Sequence, residues 1–451
     1  MTISEAAGHR TYSAHVNPQW VRLLNLLEMD VEYTECRGEE LRTANGRTIL
    51  DFLSGYCVYN AGHNHPHIAD ELQRELGRRG PSMLQSHVAA TAGDLAELLC
   101  ERAGGRLNKV YFCSSGSEGV ETAIKFARAK TGRKGLLAAR GAFHGLTCGA
   151  LALMDHEFWS EGFGPLIPGV DFVPFGDLPA LEEKLRTNRY AALILEPIQG
   201  EGGIVLPGGD YLQRAQELCR KHGTLLVMDE VQTGLGRTGR FLASHHYGID
   251  PDMVILAKAL SGGFIPSGAV LMTDAVYDSV YSSLRRAIVH TSTYSENSLA
   301  MRAGIAMLDV LDAEGLAERA LVDGEAFRQQ LRERIGGYEM VAEVRGMGFF
   351  TGIVFQAPRS LTLRLSFQAF QRIHAALFGQ MLVMRLFRDH DILTQICGND
   401  FLVLKAAPPL NASQGSLERF IDAADEVIKL VHSSAAFWQD ALALASRAVR
   451  I

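Results

Sequence analysis

Five short segments carry side chains whose types could do chemistry together. Cys113-Ser-Ser-Gly-Ser-Glu-Gly119 follows an apolar run and opens a helical pattern over residues 118–130. Small hydroxyl and glycine residues at a helix N-terminus present free N–H groups to a phosphate, although a serine-capped helix without a ligand reads the same way. Gly141-Ala-Phe-His-Gly145 follows the next apolar run. Phe143 could stack there on a planar ligand at the carboxyl edge of a sheet, or pack in a core. Two further runs end on acids: 191–195 leads into Glu196-Pro-Ile-Gln-Gly-Glu201, and 224–228 into Asp229-Glu-Val-Gln232. A carboxylate that ends an apolar strand lies at the rim of a low-dielectric interior and needs a partner or a task. Glu196, Asp229 and Glu230 could bind a hard cation, but no histidine or further carboxylate stands at matching spacing.

Lys258 closes the set, ending the run Asp252-Met-Val-Ile-Leu-Ala-Lys258 ahead of Ser261-Gly-Gly263. Desolvation at a strand end lowers a lysine pKa and makes a nucleophilic amine suited to Schiff-base chemistry. The plain alternative is a lysine snorkelling from the strand end. The histidines of Gly62-His-Asn-His-Pro-His67 read as a structural turn in preference to a metal site, so no metal is expected.

The elements that must position these residues are visible as hydrophobic periodicity. Apolar runs at 109–113, 136–139, 170–173, 191–195, 224–228, 253–257 and 268–272 alternate with helical patterns such as 118–130 and 211–222. That alternation predicts an α/β fold with a mostly parallel sheet and helices on both faces. A long helical stretch at 301–335, a strand-like run at 347–355 and a final helix at 416–432 predict a separate, smaller α+β domain. Asn45-Gly46 signals a hairpin in the first 50 residues, which should join that smaller domain. The expected division is 1–60 as an N-terminal segment of the small domain, 61–320 as the large domain and 321–451 as the C-terminal small domain. Residues 433–451 form another amphipathic stretch.

Bulk properties narrow the function classes. The chain has 451 residues, 47% of them hydrophobic and 21% charged, and a net charge of −7. Such a chain can bury a large core and has no electrostatic reason to approach nucleic acid or an anionic membrane. Seven scattered cysteines without a C-x-x-C pair read as reduced thiols. A polar start and the lack of an 18-residue apolar run make a cytoplasmic location the expectation.

Taken in order, Ser115-Gly-Ser117, Phe143-His-Gly145, Glu196-Pro-Ile-Gln-Gly-Glu201, Asp229-Glu-Val-Gln-Thr-Gly234 and Ala257-Lys258 resemble the class III, or ornithine-type, pyridoxal phosphate (PLP) aminotransferases of fold type I. Lys258 follows Asp229 by 29 residues, as in that pattern. Asp51-Phe-Leu-Ser-Gly55, Gly62-His-Asn-His-Pro66, Thr291-Ser-Thr-Tyr294 and Pro408-Pro-Leu-Asn411 extend the likeness over about residues 32–431. The resemblance implies a PLP transferase with a seven-stranded, mostly parallel sheet in its large domain. It makes Lys258 the Schiff-base lysine and proton shuttle, and Asp229 the partner that keeps the pyridinium nitrogen protonated. Gln232 would bond the ring 3′-oxygen and Phe143 would stack on the ring. Ser115, Gly116 and Ser117 would hold the phosphate, with His144, Glu196 and Val231 also around the cofactor. Ser292 and Thr293 would reach the phosphate of a neighbouring subunit, which implies a homodimer. Glu201 matches a glutamate that gates a carboxylate-binding arginine, and Tyr56 an aromatic at the substrate entrance.

Two departures bear on substrate. The family's carboxylate-binding arginine is replaced by Lys405, which keeps the charge without the planar fork. A second arginine, for the distal carboxylate of glutamate, is replaced by Leu146. The expectation is therefore transfer from a terminal primary amine (a diamine, an ω-amino acid or a hydrophobic amine) to a small 2-oxo acid, with pyruvate favoured over 2-oxoglutarate. Tyr56, Met83, Leu84 and Leu146 would line an apolar substrate site. The competing readings are an ornithine, acetylornithine or putrescine aminotransferase using 2-oxoglutarate, a same-fold aminomutase or decarboxylase, and a catalytically silent PLP-binding protein. A nucleotide-binding oxidoreductase would rest on Gly234-Leu-Gly236 alone, which lacks a third glycine at fingerprint spacing.

Overall fold

In the computed structural model, which describes residues 7–84, 86–433 and 437–438, the apolar runs assemble into one seven-stranded sheet. Its strand order is Lys109–Cys113, Gly268–Met272, Met253–Leu256, Leu225–Asp229, Tyr190–Leu195, Gly135–Ala139, Val170–Val173. Gly268–Met272 runs antiparallel to both of its neighbours, and the remaining pairs are parallel. Tyr190–Leu195 and Met253–Leu256 are buried at every position, which is why they read as unbroken apolar runs without alternation. Successive residues still go to opposite faces. Leu193, Leu195, Met228 and Leu256 join one hydrophobic cluster, whereas Ala192, Ile194, Val227 and Ile255 join another. Helix Gly116–Thr131 covers the second face, and helices Ala90–Ala103 and Ser298–Ala313 pack together on the first.

Two smaller sheets stand apart from it. Val341–Met347, Phe350–Phe355, Val403–Ala406 and Gln395–Ile396 form an antiparallel sheet. Tyr33–Arg37, Glu40–Thr43 and Thr48–Asp51 form a meander whose last strand pairs in parallel with Ile392–Leu393. The Asn45-Gly46 turn thus sits inside a hairpin and ties the start of the chain to a late segment. Phe52, Phe327 and Phe420 cluster between these sheets and helices Leu316–Ile335 and Gln414–Ser433, with Phe52 and Phe420 stacked at 4.4 Å.

Three sequence expectations are corrected. The 301–335 stretch is two helices, Ser298–Ala313 and Leu316–Ile335, because Gly315 takes φ +58°, which an α-helix cannot continue through. The run 347–355 is a hairpin that turns at Gly348-Phe349. Lys258 does not end a strand: the strand stops at Leu256, and Lys258 opens a 3₁₀ turn, Lys258–Ser261, with φ +45°. The amphipathic stretch expected at 433–451 lies largely outside the described residues, of which Phe437 and Trp438 are buried in the core. Among the described residues no helix is long and apolar enough to cross a membrane.

Candidate active site

Three adjacent strands of the large sheet deliver the candidate residues to one carboxyl edge. Tyr190–Leu195 ends at Glu196, Leu225–Asp229 ends on Asp229, and Met253–Leu256 leads to Lys258. All three line a cavity of about 470 Å³. Asp229 is 5% exposed; one carboxylate oxygen lies 2.8 Å from His144 Nδ1 and the other accepts the Val231 N–H at 3.2 Å. With Asp229 ionised, Nδ1 carries the proton. Burial works to lower the His144 pKa, but the Asp229 bond and charge, helped by Glu196, raise it overall. Its Nε2 is buried without a partner among the described residues. The next acid along the chain has a different task. Glu230 accepts the N–H groups of Ala243 and Ser244 at 2.6 and 2.8 Å, so it braces a turn and is not paired with Asp229 for a cation.

Glu196 fixes the loop that carries Phe143 by accepting the Phe143 N–H at 3.0 Å and the Gly200 N–H at 2.9 Å. Burial pushes its pKa up to about 7, with His144 opposing and Asp229 assisting. Trp159 meets the Phe143 ring edge-on at 5.3 Å and donates its indole N–H to Asn399 at 2.7 Å. Asn399 in turn donates to the carbonyls of Gly141 and Ala142. Sequence reasoning missed both residues, and no motif marks them, because they meet only through the fold.

Facing this wall is the N-terminus of helix Gly116–Thr131. Ser115 caps it by accepting the Glu118 N–H at 3.2 Å, and Glu118 reaches back to the Ser114 N–H at 2.7 Å. Ser115, Gly116 and Ser117 line the cavity. Ser117 Oγ accepts the Leu146 N–H at 3.3 Å across Gly145, where a Cβ would lie 2.1 Å from that oxygen. The two glycine-flanked loops thus close over each other only because Gly145 has no side chain.

Lys258 is half-buried and opens on the same cavity. Burial lowers its pKa, with Lys405 adding to the effect and Cys57, Glu201 and Asp229 opposing. The neutral amine is therefore populated at lower pH than for an ordinary lysine. Its positive φ is the kind of strained backbone that persists where surrounding packing over-determines it.

A second acid–base pair stands behind Gln232, and neither its members nor Tyr56 are among the residues that line the cavity. Lys405 is fully buried, bonded to Glu201 at 2.5 Å, with its ammonium 5.0 Å from the Tyr56 ring centroid. Glu201 also accepts from Gln232 Nε2 at 3.2 Å and from the Gly398 N–H at 2.8 Å. Burial disfavours the Lys405 charge, but Glu201 more than offsets it and holds the ammonium pKa above its usual range. For Glu201, burial pushes the pKa up and Lys405 more than reverses it. Tyr56 reaches this pair through an unusual turn. Ser54, Gly55, Tyr56 and Cys57 all have positive φ, and Asp51 holds the turn by accepting the Leu53 and Ser54 N–H groups at 2.9 and 2.7 Å.

Not every candidate converges on Lys258. Leu146 is 56% exposed and its side chain turns outward. Met83, Leu84, Ser292 and Thr293 line a separate cavity of about 390 Å³. The three histidines of the 62–67 segment pair with three different carboxylates, Asp51, Glu314 and Asp309. Among the described residues no group of three or more metal-binding side chains converges.

The sequence pattern described as Aminotransferase class-III matches residues 25–428. The chain belongs to the class III aminotransferases. It is 35% identical to the aminotransferase PigE of a Serratia species over 91% of its own length, and it spans about half, 52%, of that relative. It is 34% identical to the putrescine aminotransferase of Pectobacterium atrosepticum, covering 90% of this chain and 83% of the relative. The solved ornithine aminotransferase of Toxoplasma gondii, which carries PLP at partial occupancy in its active site, superposes with a TM-score of 0.81 at 28% identity, covering 94% and 97% of the two chains. Class III aminotransferases use PLP, and this site fits that cofactor. Gln232 Oε1 and His144 Nε2 are buried polar atoms at the cavity wall without partners among the described residues, and the helix N-terminus offers N–H groups to an anion. Asp229 is a carboxylate available to a protonated ring nitrogen.

Proposed function

We propose that this class III member is an aminotransferase that moves the amino group of a terminal primary amine to a small 2-oxo acid, pyruvate in preference to 2-oxoglutarate. The supporting observation is that Lys258, the Asp229–His144 pair and the capped helix N-terminus all open on one cavity of about 470 Å³. Ser115, Gly116 and Ser117 would hold the phosphate, Phe143 and Val231 the ring faces, Gln232 the ring oxygen and Asp229 the ring nitrogen. When bound, PLP supplies a carbonyl for the amine and a ring that accepts the electron pair left by the departing proton. Lys258 Nζ would take that proton from the amine-bearing carbon and deliver it to the carbon that was the cofactor's carbonyl, and would carry it the opposite way when the 2-oxo acid receives the amino group. His144 and Glu196 orient Asp229 and Phe143 without touching substrate.

Lys405 would take the carboxylate of the 2-oxo acid once Glu201 swings away. A donor without a carboxylate leaves the pair closed and meets the ring of Tyr56. Leu146 supplies no charge for a distal carboxylate, which favours a monocarboxylate acceptor. Met83, Leu84, Ser292 and Thr293, remote from Lys258 in the same chain, would complete the site of a second copy in a homodimer.

Half-reactions followed by the cofactor's absorbance, with putrescine, ornithine, β-alanine and an arylalkyl amine as donors, test the substrate reading. At least one terminal amine should bleach the long-wavelength band and pyruvate should restore it. Bleaching by glutamate alone would sink the proposal.

A further inference from the structure

Three buried side-chain atoms beside the Lys258 cavity lack a hydrogen-bond partner among the described residues: His144 Nε2, Gln232 Oε1 and Ser267 Oγ. The first two belong to residues with a place around the ring. Ser267 belongs to no motif and has no role so far. It is 6% exposed and lines the cavity. A buried hydroxyl without a partner is costly, so the fold is expected to supply one.

Its position says which. Ser267 immediately precedes strand Gly268–Met272, which lies between Lys109–Cys113 and Met253–Leu256. Gly268 pairs with Cys113 on one side, and Ala269 pairs with Leu256 on the other. Continuing the ladder with Lys109–Cys113 by one step sets Ser267 opposite Ser114, at the entry to helix Gly116–Thr131, whereas the pairing on the other side ends at Leu256. The approach is close: a Cβ on Gly268 would lie 3.0 Å from the Ser115 carbonyl oxygen and 2.8 Å from Cys113 Sγ. The neighbouring hydroxyl oxygens accept from the backbone, Ser115 Oγ from the Glu118 N–H and Ser117 Oγ from the Leu146 N–H, and each keeps its own O–H to donate. Ser267 adds a further donor, buried and without a partner among the described residues, beside an anion-binding helix end.

We propose that Ser267 is a ligand of the cofactor phosphate, its hydroxyl donating to a phosphate oxygen seated at the N-terminus of helix Gly116–Thr131. The inference rests on the reading of this cavity as the PLP site. The test titrates full-length protein, freed of cofactor, with PLP and with pyridoxal, which keeps the ring and aldehyde but lacks the phosphate. In Ser267→Ala the Kd for PLP should rise about 10-fold or more, while that for pyridoxal stays within about twofold of wild type. Equal weakening of both ligands would place the hydroxyl at the ring or at Lys258 and overturn the proposal, as would an unchanged Kd for PLP. Thermal melts of the cofactor-free proteins check folding, and Ser267→Gly should give the same ratio if the alanine variant melts early. Wild-type protein that binds neither ligand would overturn the cofactor reading itself, an outcome separate from failure of the variant.

Discussion

Two buried acid–base pairs flank Lys258, and they are built to opposite ends. In the Asp229–His144 pair the carboxylate accepts one imidazole and one backbone N–H, and Nε2 of the imidazole has no partner among the described residues. In the Glu201–Lys405 pair the carboxylate accepts from Lys405, Gln232 and the Gly398 N–H, and an aromatic ring caps the ammonium. The first pair has capacity to spare and can take a ring nitrogen without rearranging. The second is closed on itself and must break a desolvated ion pair before another carboxylate can enter. Breaking a buried pair is costly because it leaves an uncompensated charge, so the pair opens only for a ligand that replaces the lost carboxylate. On the proposed reading, one pair is a fixed electrostatic support and the other a selective barrier.

Variants that strip each pair of its distinguishing feature should separate the two roles. Asp229→Asn keeps the shape and removes the charge; kcat should fall about 10²- to 10³-fold with every amine donor, measured in single-turnover half-reactions. A smaller, donor-independent loss would make the pair merely structural. Lys405→Met should raise KM for the 2-oxo acid about 10- to 100-fold while leaving the putrescine half-reaction within about twofold. Equal damage to both half-reactions would deny the barrier role.

A third variant reads the electrostatics beneath the first pair. Glu196 has its pKa raised from 4.5 to about 7. A carboxyl raised in this way favours the fold fully below pH 4.5 and loses that contribution as the pH rises to 7, because the unfolded chain ionises first. Between pH 5 and pH 8, Glu196→Gln should therefore lose less stability than the wild type, by on the order of 2 kcal/mol. Denaturant melts of the cofactor-free proteins at both pH values would show it.

The two pairs also differ in how far the sequence reveals them. Asp229 is legible because it ends a strand whose four preceding residues are apolar, and the same logic finds Glu196 and Lys258 within two residues of the correct element ends. Seven strands could be read because those buried on both faces are nearly continuous runs of Val, Ile, Leu and Ala. Glu201 and Lys405 stand out only by resemblance, since 204 residues separate them and the bond between them is a product of the fold. Trp159 and Asn399 carry no pattern and join across 240 residues. The break at Gly315 was missed because the apolar period continues across it, and only the left-handed backbone stops the helix. Ser292 and Thr293 were recognised by likeness, and a single chain places them in a different cavity from Lys258.

The account depends on the amine of Lys258 being the group that bonds the cofactor. Borohydride reduction of the PLP-loaded protein, followed by peptide mapping, should leave a pyridoxyl group on Lys258 and none on Lys405, although both ammonium groups flank Glu201. Recovery of the label on Lys405, or no covalent label at all, would contradict it.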